Sequence, residues 1–163
     1  MSEEIKNLSF LVNDALRKRS FTLSVAESCT GGGIAAAVTS VPGSSEIFKG
    51  GVIAYANEVK RDQLSVSEET LQSCGAVSEA VVRQMVEGVA ALMHTNCAVA
   101  TSGVAGPGGG TAEKPVGTVW TAFLVDGIVT TCKLSFKDCG REKNIETAIL
   151  KTLEKLHCLL CDN

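Results

Sequence analysis

Ser28 and Ser102 each stand where a short apolar run meets a cluster of glycines. One segment reads Ala26-Glu27-Ser28-Cys29-Thr30-Gly31-Gly32-Gly33, the other Ser102-Gly103-Val104-Ala105-Gly106-Pro107-Gly108-Gly109-Gly110. A hydroxyl beside glycines can serve as a nucleophile, because glycine leaves backbone N–H groups uncovered for a polar ligand or a developing oxyanion. Tight turns alone would also explain such glycines. Two loops that each open on a hydroxyl residue favour a pocket instead. A base for that hydroxyl is scarce: His94 and His157 are the only histidines, and both fall on predicted helices away from the loops. Lys60, in Tyr55-Ala56-Asn57-Glu58-Val59-Lys60, is the remaining candidate. An amine of pKa about 10.4 works as a base only when burial or nearby positive charge lowers that value. From spacing alone, a solvated helix lysine and a buried base are equally consistent. Arg141 follows Asp138-Cys139-Gly140 in the first turn of the last predicted helix, where the macrodipole disfavours a cation. A guanidinium beside free helix N–H groups makes an anion clamp.

The elements that must position these residues are readable from periodicity. Ser2–Arg19 predicts an amphipathic helix with Ser2 as N-cap, followed by a strand at Leu23–Ala26 and a small-residue helix at Thr30–Ser40. A second strand at Phe48–Tyr55, short helices at Asn57–Leu64 and Ser67–Ser73, and a strong helix at Ser78–Met93 come next. The last facing inward are Val81, Val82, Met85, Val86 and Val89. A third strand at Ala98–Thr101 precedes a hairpin of Val116–Val125 and Ile128–Ser135 around Asp126-Gly127. Arg141–Leu160 closes the order as a helix burying Ile145, Ile149, Leu153, Leu156 and Leu160. This order predicts an α/β fold: a three-layer α/β/α domain over residues 1–163, with a mixed, mostly parallel sheet of about five strands ending in a β-hairpin. A right-handed βαβ unit sets the first two strands parallel, which puts Ser28 and Lys60 at one sheet edge. If the hairpin's second strand runs with the parallel set, Arg141 emerges at that edge together with Ser102.

Composition narrows the function classes. The chain has 163 residues, 45% of them hydrophobic, and a net charge of −3, which argues against a general nucleic-acid binder. No apolar run is long enough to span a membrane, and the polar start Met1–Lys6 does not resemble a signal peptide. A cytoplasmic location is the expectation. The seven cysteines include a C-x-x-C at Cys158 and Cys161, read as structural because no second ligand pair stands at metal-binding spacing. The standard P-loop, dinucleotide and nucleophile-elbow patterns are absent, and no metal site is expected.

Six ordered motifs carry a family resemblance: Ala26-Glu27-Ser28-Cys29-Thr30-Gly31-Gly32, Pro42-Gly43-Ser44-Ser45, Tyr55–Lys60, Gly75-Ala76-Val77-Ser78, Ser102–Gly109 and Lys114-Pro115-Val116-Gly117. In type and spacing the chain resembles the CinA C-terminal domain family, in its stand-alone form, over nearly its whole length. The resemblance implies hydrolysis of nicotinamide mononucleotide to nicotinate mononucleotide and ammonia in pyridine nucleotide salvage. It implies a metal-independent Ser/Lys mechanism without cofactor, a small-molecule nucleotide substrate and a homodimer. Carried onto this sequence, Ser28 and Lys60 become catalytic. Thr30, Gly31, Ser45, Tyr55, Asn57, Ser102, Gly103, Gly106, Gly108 and Arg141 become substrate-binding, Arg141 for the phosphate.

Both Ser28 and Ser45 lie in family motifs. Ser45 precedes the second strand and Lys60 follows it, so at about 3.3 Å per residue a lysine cannot bridge the strand within one subunit. Ser28 is therefore the expected nucleophile, with Ser45 open if the strand is shorter or a partner subunit delivers it. Two departures stand out: Gly33 replaces a larger apolar residue, which would widen the pocket wall, and Asn144 replaces the second arginine of a frequent Arg-x-x-Arg pattern. A catalytically silent module binding a nucleotide or a protein is the alternative. Retention of Ser28, Lys60, Ser102 and Arg141 together favours the enzyme.

Overall fold

The computed structural model describes residues 1–161. Helix α1 (Glu3–Lys18) starts where the Ser2 hydroxyl accepts a hydrogen bond from Ile5 N, with Glu3 and Glu4 in the first turn and Arg17 and Lys18 in the last, each complementing the helix dipole. Strand β1 (Leu23–Glu27) is buried along its whole length, as a central strand must be. Helix α2 (Gly33–Thr39) begins three residues later than Thr30, because Gly31 and Gly32 turn the chain at φ 60° and 98° before it. A 3₁₀ turn at Ser44–Glu46, absent from the sequence reading, leads into β2 (Phe48–Ile53). That strand stops two residues short of the predicted Tyr55. Helices α3 (Asn57–Leu64), α4 (Glu68–Cys74) and α5 (Glu79–Met93) follow, the last capped by the Ser78 hydroxyl on Val81 N at 3.3 Å.

Strand β3 (Cys97–Gly103) runs past the predicted Thr101 to Gly103. The hairpin of β4 (Thr118–Val125) and β5 (Ile128–Ser135) turns at Asp126-Gly127. β4 starts at Thr118 rather than Val116 because the chain bends at Gly117, φ 92°, where a side chain would meet Phe136 O at 2.1 Å. Helix α6 (Arg141–Cys161) completes the order. Its inward face carries Asn144 and Ala148 beside the expected Ile149, Leu153, Leu156 and Leu160, while Ile145 is half-buried.

The five strands lie in the order β2-β1-β3-β4-β5. β1 is parallel to both neighbours, β4 is antiparallel to β3, and β5 antiparallel to β4. Four strands therefore share one direction, which is the mostly parallel α/β sheet the sequence predicts. Alternation along β1 and β3 builds a layer on each face. Leu23, Val25, Cys97 and Val99 pack with residues of α1, α2 and α6, whereas Ala26, Ala98 and Ala100 pack with Val81, Val82, Met85 and Val86 of α5. The small alanines let α5 lie close on the sheet. Open sheets of this type bind ligands outside the carboxyl ends of their parallel strands, and the glycine segments after β1 and β3 stand there.

Candidate functional site

Lys60 is 1% exposed, so the solvated-lysine alternative is excluded. Its Nζ donates to Ser28 Oγ at 3.1 Å and to Ala54 O at 2.7 Å. The geometry follows from the sheet. Ala54 N donates to Glu27 O at 2.8 Å and Ser28 N donates to Thr101 O at 3.0 Å, which fixes the ends of β1, β2 and β3 against one another. One turn into α3, Lys60 then reaches across to the residue after β1. Burial pushes its pKa below the ordinary 10.5, because a low-dielectric site penalises the ammonium. Among the described residues no carboxylate forms an ion pair with it. The neighbouring Cys29 thiol is pushed up to about 12, chiefly by burial, so it stays protonated at neutral pH and is no rival nucleophile.

Ser28 and Lys60 open into a cavity of about 290 Å3 that Tyr55, Asn57, Ser102, Gly103, Gly106, Gly108 and Arg141 also line. Arg141 Nη1 donates to Gly106 O at 2.7 Å and Nη2 to the Tyr55 hydroxyl at 2.7 Å. The first turn of α6 is thereby tied to the glycine loop on one side and to the residues after β2 on the other. The Ser102 hydroxyl donates to Ala76 O at 2.8 Å, fixing the loop before α5. A buried hydroxyl–amine pair and a guanidinium that line one small cavity suit a substrate carrying both a polar carbonyl and an anionic group.

Three residues expected to bind substrate are not among those lining this cavity. Thr30 is 4% exposed, its hydroxyl paired with that of Thr101 at 2.8 Å beneath the turn. Gly31 shapes the turn at φ 60°. Ser45 is exposed on the 3₁₀ turn before β2, at the end of that strand opposite Lys60. Gly33 does not widen the site either. It lines a larger groove of about 840 Å3 between α1, α2 and α6. Arg141 borders that groove as well, but the Ser28–Lys60 pair opens only into the smaller cavity.

Two buried side chains have structural roles that the sequence did not predict. Glu27 is 1% exposed, and its carboxylate accepts from Gly32 N, Ile34 N and Ala35 N at 3.1, 3.1 and 2.8 Å. It caps α2 and holds the turn that presents Ser28. An acid at the last position of an apolar strand, just before a helix, was the available signal. Asn144 is 1% exposed and bonds Ala105 O at 3.0 Å. Elsewhere, Cys158 and Cys161 are exposed free thiols. Among the described residues no group of His, Cys, Asp or Glu is placed to hold a metal ion, and no helix is long and apolar enough to cross a membrane.

The same architecture recurs in solved structures. The competence/damage inducible protein CihA of Agrobacterium tumefaciens superposes with a TM-score of 0.94 at 39% identity, over 98% of this chain and 97% of that one. A CinA superfamily protein of Klebsiella pneumoniae 700603 gives 0.93 at 36% identity, over 98% and 99%. Among curated sequences, a CinA-like protein of Parasynechococcus marenigrum is 47% identical over 92% of this chain, which spans only 36% of that relative's length. The chain likewise spans 36% of a putative competence-damage inducible protein of Clostridium perfringens. A protein of Enterobacter agglomerans named nicotinamide-nucleotide amidohydrolase PncC is 45% identical over 91% of this chain and 92% of its own. The family model of the CinA C-terminal domain aligns with residues 5–160. That span runs from the first turn of α1 to the last turn of α6 and includes the whole Ser28–Lys60 edge, and the chain belongs to the CinA C-terminal domain family.

Proposed function

We propose that this protein hydrolyses the carboxamide of nicotinamide mononucleotide, releasing ammonia and nicotinate mononucleotide, with Ser28 as nucleophile and Lys60 as its base. The observation that carries the reading is the buried Lys60 Nζ at 3.1 Å from Ser28 Oγ. The amidohydrolase name of the Enterobacter agglomerans relative supports the substrate. A neutral Lys60 amine has two hydrogens and one lone pair. With one hydrogen on Ala54 O and the Ser28 hydrogen bond reversed so that Oγ–H donates to Nζ, the lone pair takes the Ser28 proton as Oγ attacks the carbonyl carbon. The tetrahedral oxyanion would be stabilised by backbone N–H groups near Ser102 and Gly103. On collapse, the Lys60 ammonium protonates the departing NH2, so that ammonia leaves and an acyl-serine remains. Water then attacks that ester with Lys60 again the base, returning Ser28 and the nicotinate product.

Another part of the cavity wall fits the rest of the substrate. Arg141 is the residue to take the single phosphate, since a guanidinium pairs with phosphate through parallel N–H bonds. The reaction converts one pyridine mononucleotide to another, which puts the protein in pyridine nucleotide salvage. A cytoplasmic homodimer is part of the same reading.

Ammonia release from nicotinamide mononucleotide by the purified protein is the direct test. Release that depends on Ser28 and Lys60 is the expected result. A protein that binds the mononucleotide without releasing ammonia would be a silent binding module instead.

A further inference from the structure

Asn144 has no part in the chemistry above, yet it is the most fully engaged polar side chain at this end of α6. Its Nδ2 donates to Ala105 O at 3.0 Å and to Asp138 Oδ1 at 2.8 Å, while its Oδ1 accepts from Cys139 N at 3.0 Å. Asp138 Oδ1 also accepts from Gly140 N at 2.9 Å, folding the 138–140 segment back onto the helix start. Asn144 stands three residues after Arg141, so one turn of α6 puts both on the same side of the helix. The two side chains grip consecutive carbonyls of the glycine loop: Asn144 takes Ala105 O and Arg141 takes Gly106 O. Arg141 lines the cavity and Asn144 does not.

The amide chemistry is specific to this task. It offers donors to two oxygens and accepts from one N–H at the same time. A carboxylate of the same shape would face Ala105 O and Asp138 Oδ1 with like charge. Arg141, for its part, is a cation at a helix N-terminus, where the dipole opposes it, so its placement needs a rigid hold until an anion arrives. We infer that Asn144 is a positioning residue: it locks the start of α6 to the glycine loop so that Arg141 presents its guanidinium to the substrate phosphate. The phosphate is that of the mononucleotide, and to that extent the inference rests on the functional reading above.

The test is a double-mutant cycle read by calorimetric binding. Nicotinate mononucleotide is the ligand because as product it is not turned over, and nicotinate riboside is the control lacking phosphate. Asn144→Ala is expected to weaken the mononucleotide about tenfold and the riboside by less than about twofold. Asn144→Ala combined with Arg141→Ala should bind no more weakly than Arg141→Ala alone, to within about twofold, since a residue acting through another adds nothing once that one is gone. In turnover, Asn144→Ala should raise KM and leave kcat within about twofold. Equal losses on both ligands, or losses that add in the double variant, would overturn the inference.

Should Asn144→Ala not fold by thermal melting, Asp138→Ala, at an exposed position, removes one of the amide's partners. It should weaken the mononucleotide selectively by a smaller factor, and no selectivity there would also overturn the inference. A wild type that binds the mononucleotide in this pattern but releases no ammonia refutes the amidase reading and leaves this one standing. A wild type that binds no mononucleotide overturns it.

Discussion

An amine held out of water gives up its proton more readily, and Lys60 is such an amine. Its pKa is lowered from 10.5 by burial, and only the neutral form can accept the Ser28 proton. kcat/KM is therefore expected to rise with pH as Lys60 loses its proton, and to level off at a pH below 10.5. A pH–rate profile still climbing above that value would show that Lys60 is not the base. Ser28→Ala and Lys60→Ala should each reduce ammonia release by about a thousandfold or more, because members of a nucleophile–base pair act as a unit. Ser45→Ala should keep most of its activity, since Ser45 is exposed at the far end of β2. An inactive but folded Ser45→Ala, beside an active Ser28→Ala, would reverse the assignment. Arg141→Ala should raise KM for the mononucleotide by roughly ten- to a hundredfold, the loss of a charge-assisted contact worth about 1.5–3 kcal/mol, and affect the riboside far less. The expected topology sends Ser28, Lys60 and Arg141 to one sheet edge, and the three do line one cavity. The role of Asn144 was not legible in the sequence, because its partners Ala105 O and Asp138 come from separate loops that only the fold brings to α6.

Among elements, the Ser28–Lys60 distance depends on how α3 is seated. Gly88 of α5 lies under the end of α3, and a Cβ there would come 2.0 Å from Leu64 O and 2.7 Å from Leu64 C. Those are backbone atoms and cannot swing away. By helix propensity alone, Gly88→Ala would stabilise α5 by about 1 kcal/mol. The contact reverses that sign, and a loss of about 1–3 kcal/mol is expected. Pushing α3 outward also draws Lys60, one turn before Leu64, away from Ser28, so kcat should fall while the protein remains folded. Thermal melting together with ammonia release checks both halves, and a more stable, fully active variant would show that α3 is not seated this way. The elements themselves were legible where periodicity is strong: every residue expected inward on α5 is buried, and β5 starts and ends where the Asp126-Gly127 turn places it. The start of α2 was not. Its N-terminus is set by Glu27, whose partner N–H groups converge only once Gly31 and Gly32 take positive φ. The 3₁₀ turn at Ser44–Glu46 is too short to leave a periodic trace.

At the scale of the whole molecule, the reversal between β3 and β4 decides where the site can form. Because β4 is antiparallel and β5 turns back again, α6 starts at the edge where β1, β2 and β3 end. Arg141 is thereby delivered to the cavity from the last element of the chain, more than a hundred residues after Ser28. The mostly parallel sheet predicted from element order was sufficient to foresee this, although the paired carbonyls that hold α6 there were not foreseeable. One protomer consequently contributes Ser28, Lys60, Tyr55, Ser102 and Arg141 to the same cavity. In the homodimer proposed for this protein, a second copy is not needed to supply a nucleophile, a base or the anion clamp. Specific activity is therefore expected to stay constant, to within about twofold, when the protein is diluted through the concentration at which sedimentation shows the dimer dissociating. A fall in activity that tracks dissociation, restored on reconcentration, would show that the partner completes the site, and Ser45, exposed on the 3₁₀ turn, would be the first residue to test across the interface.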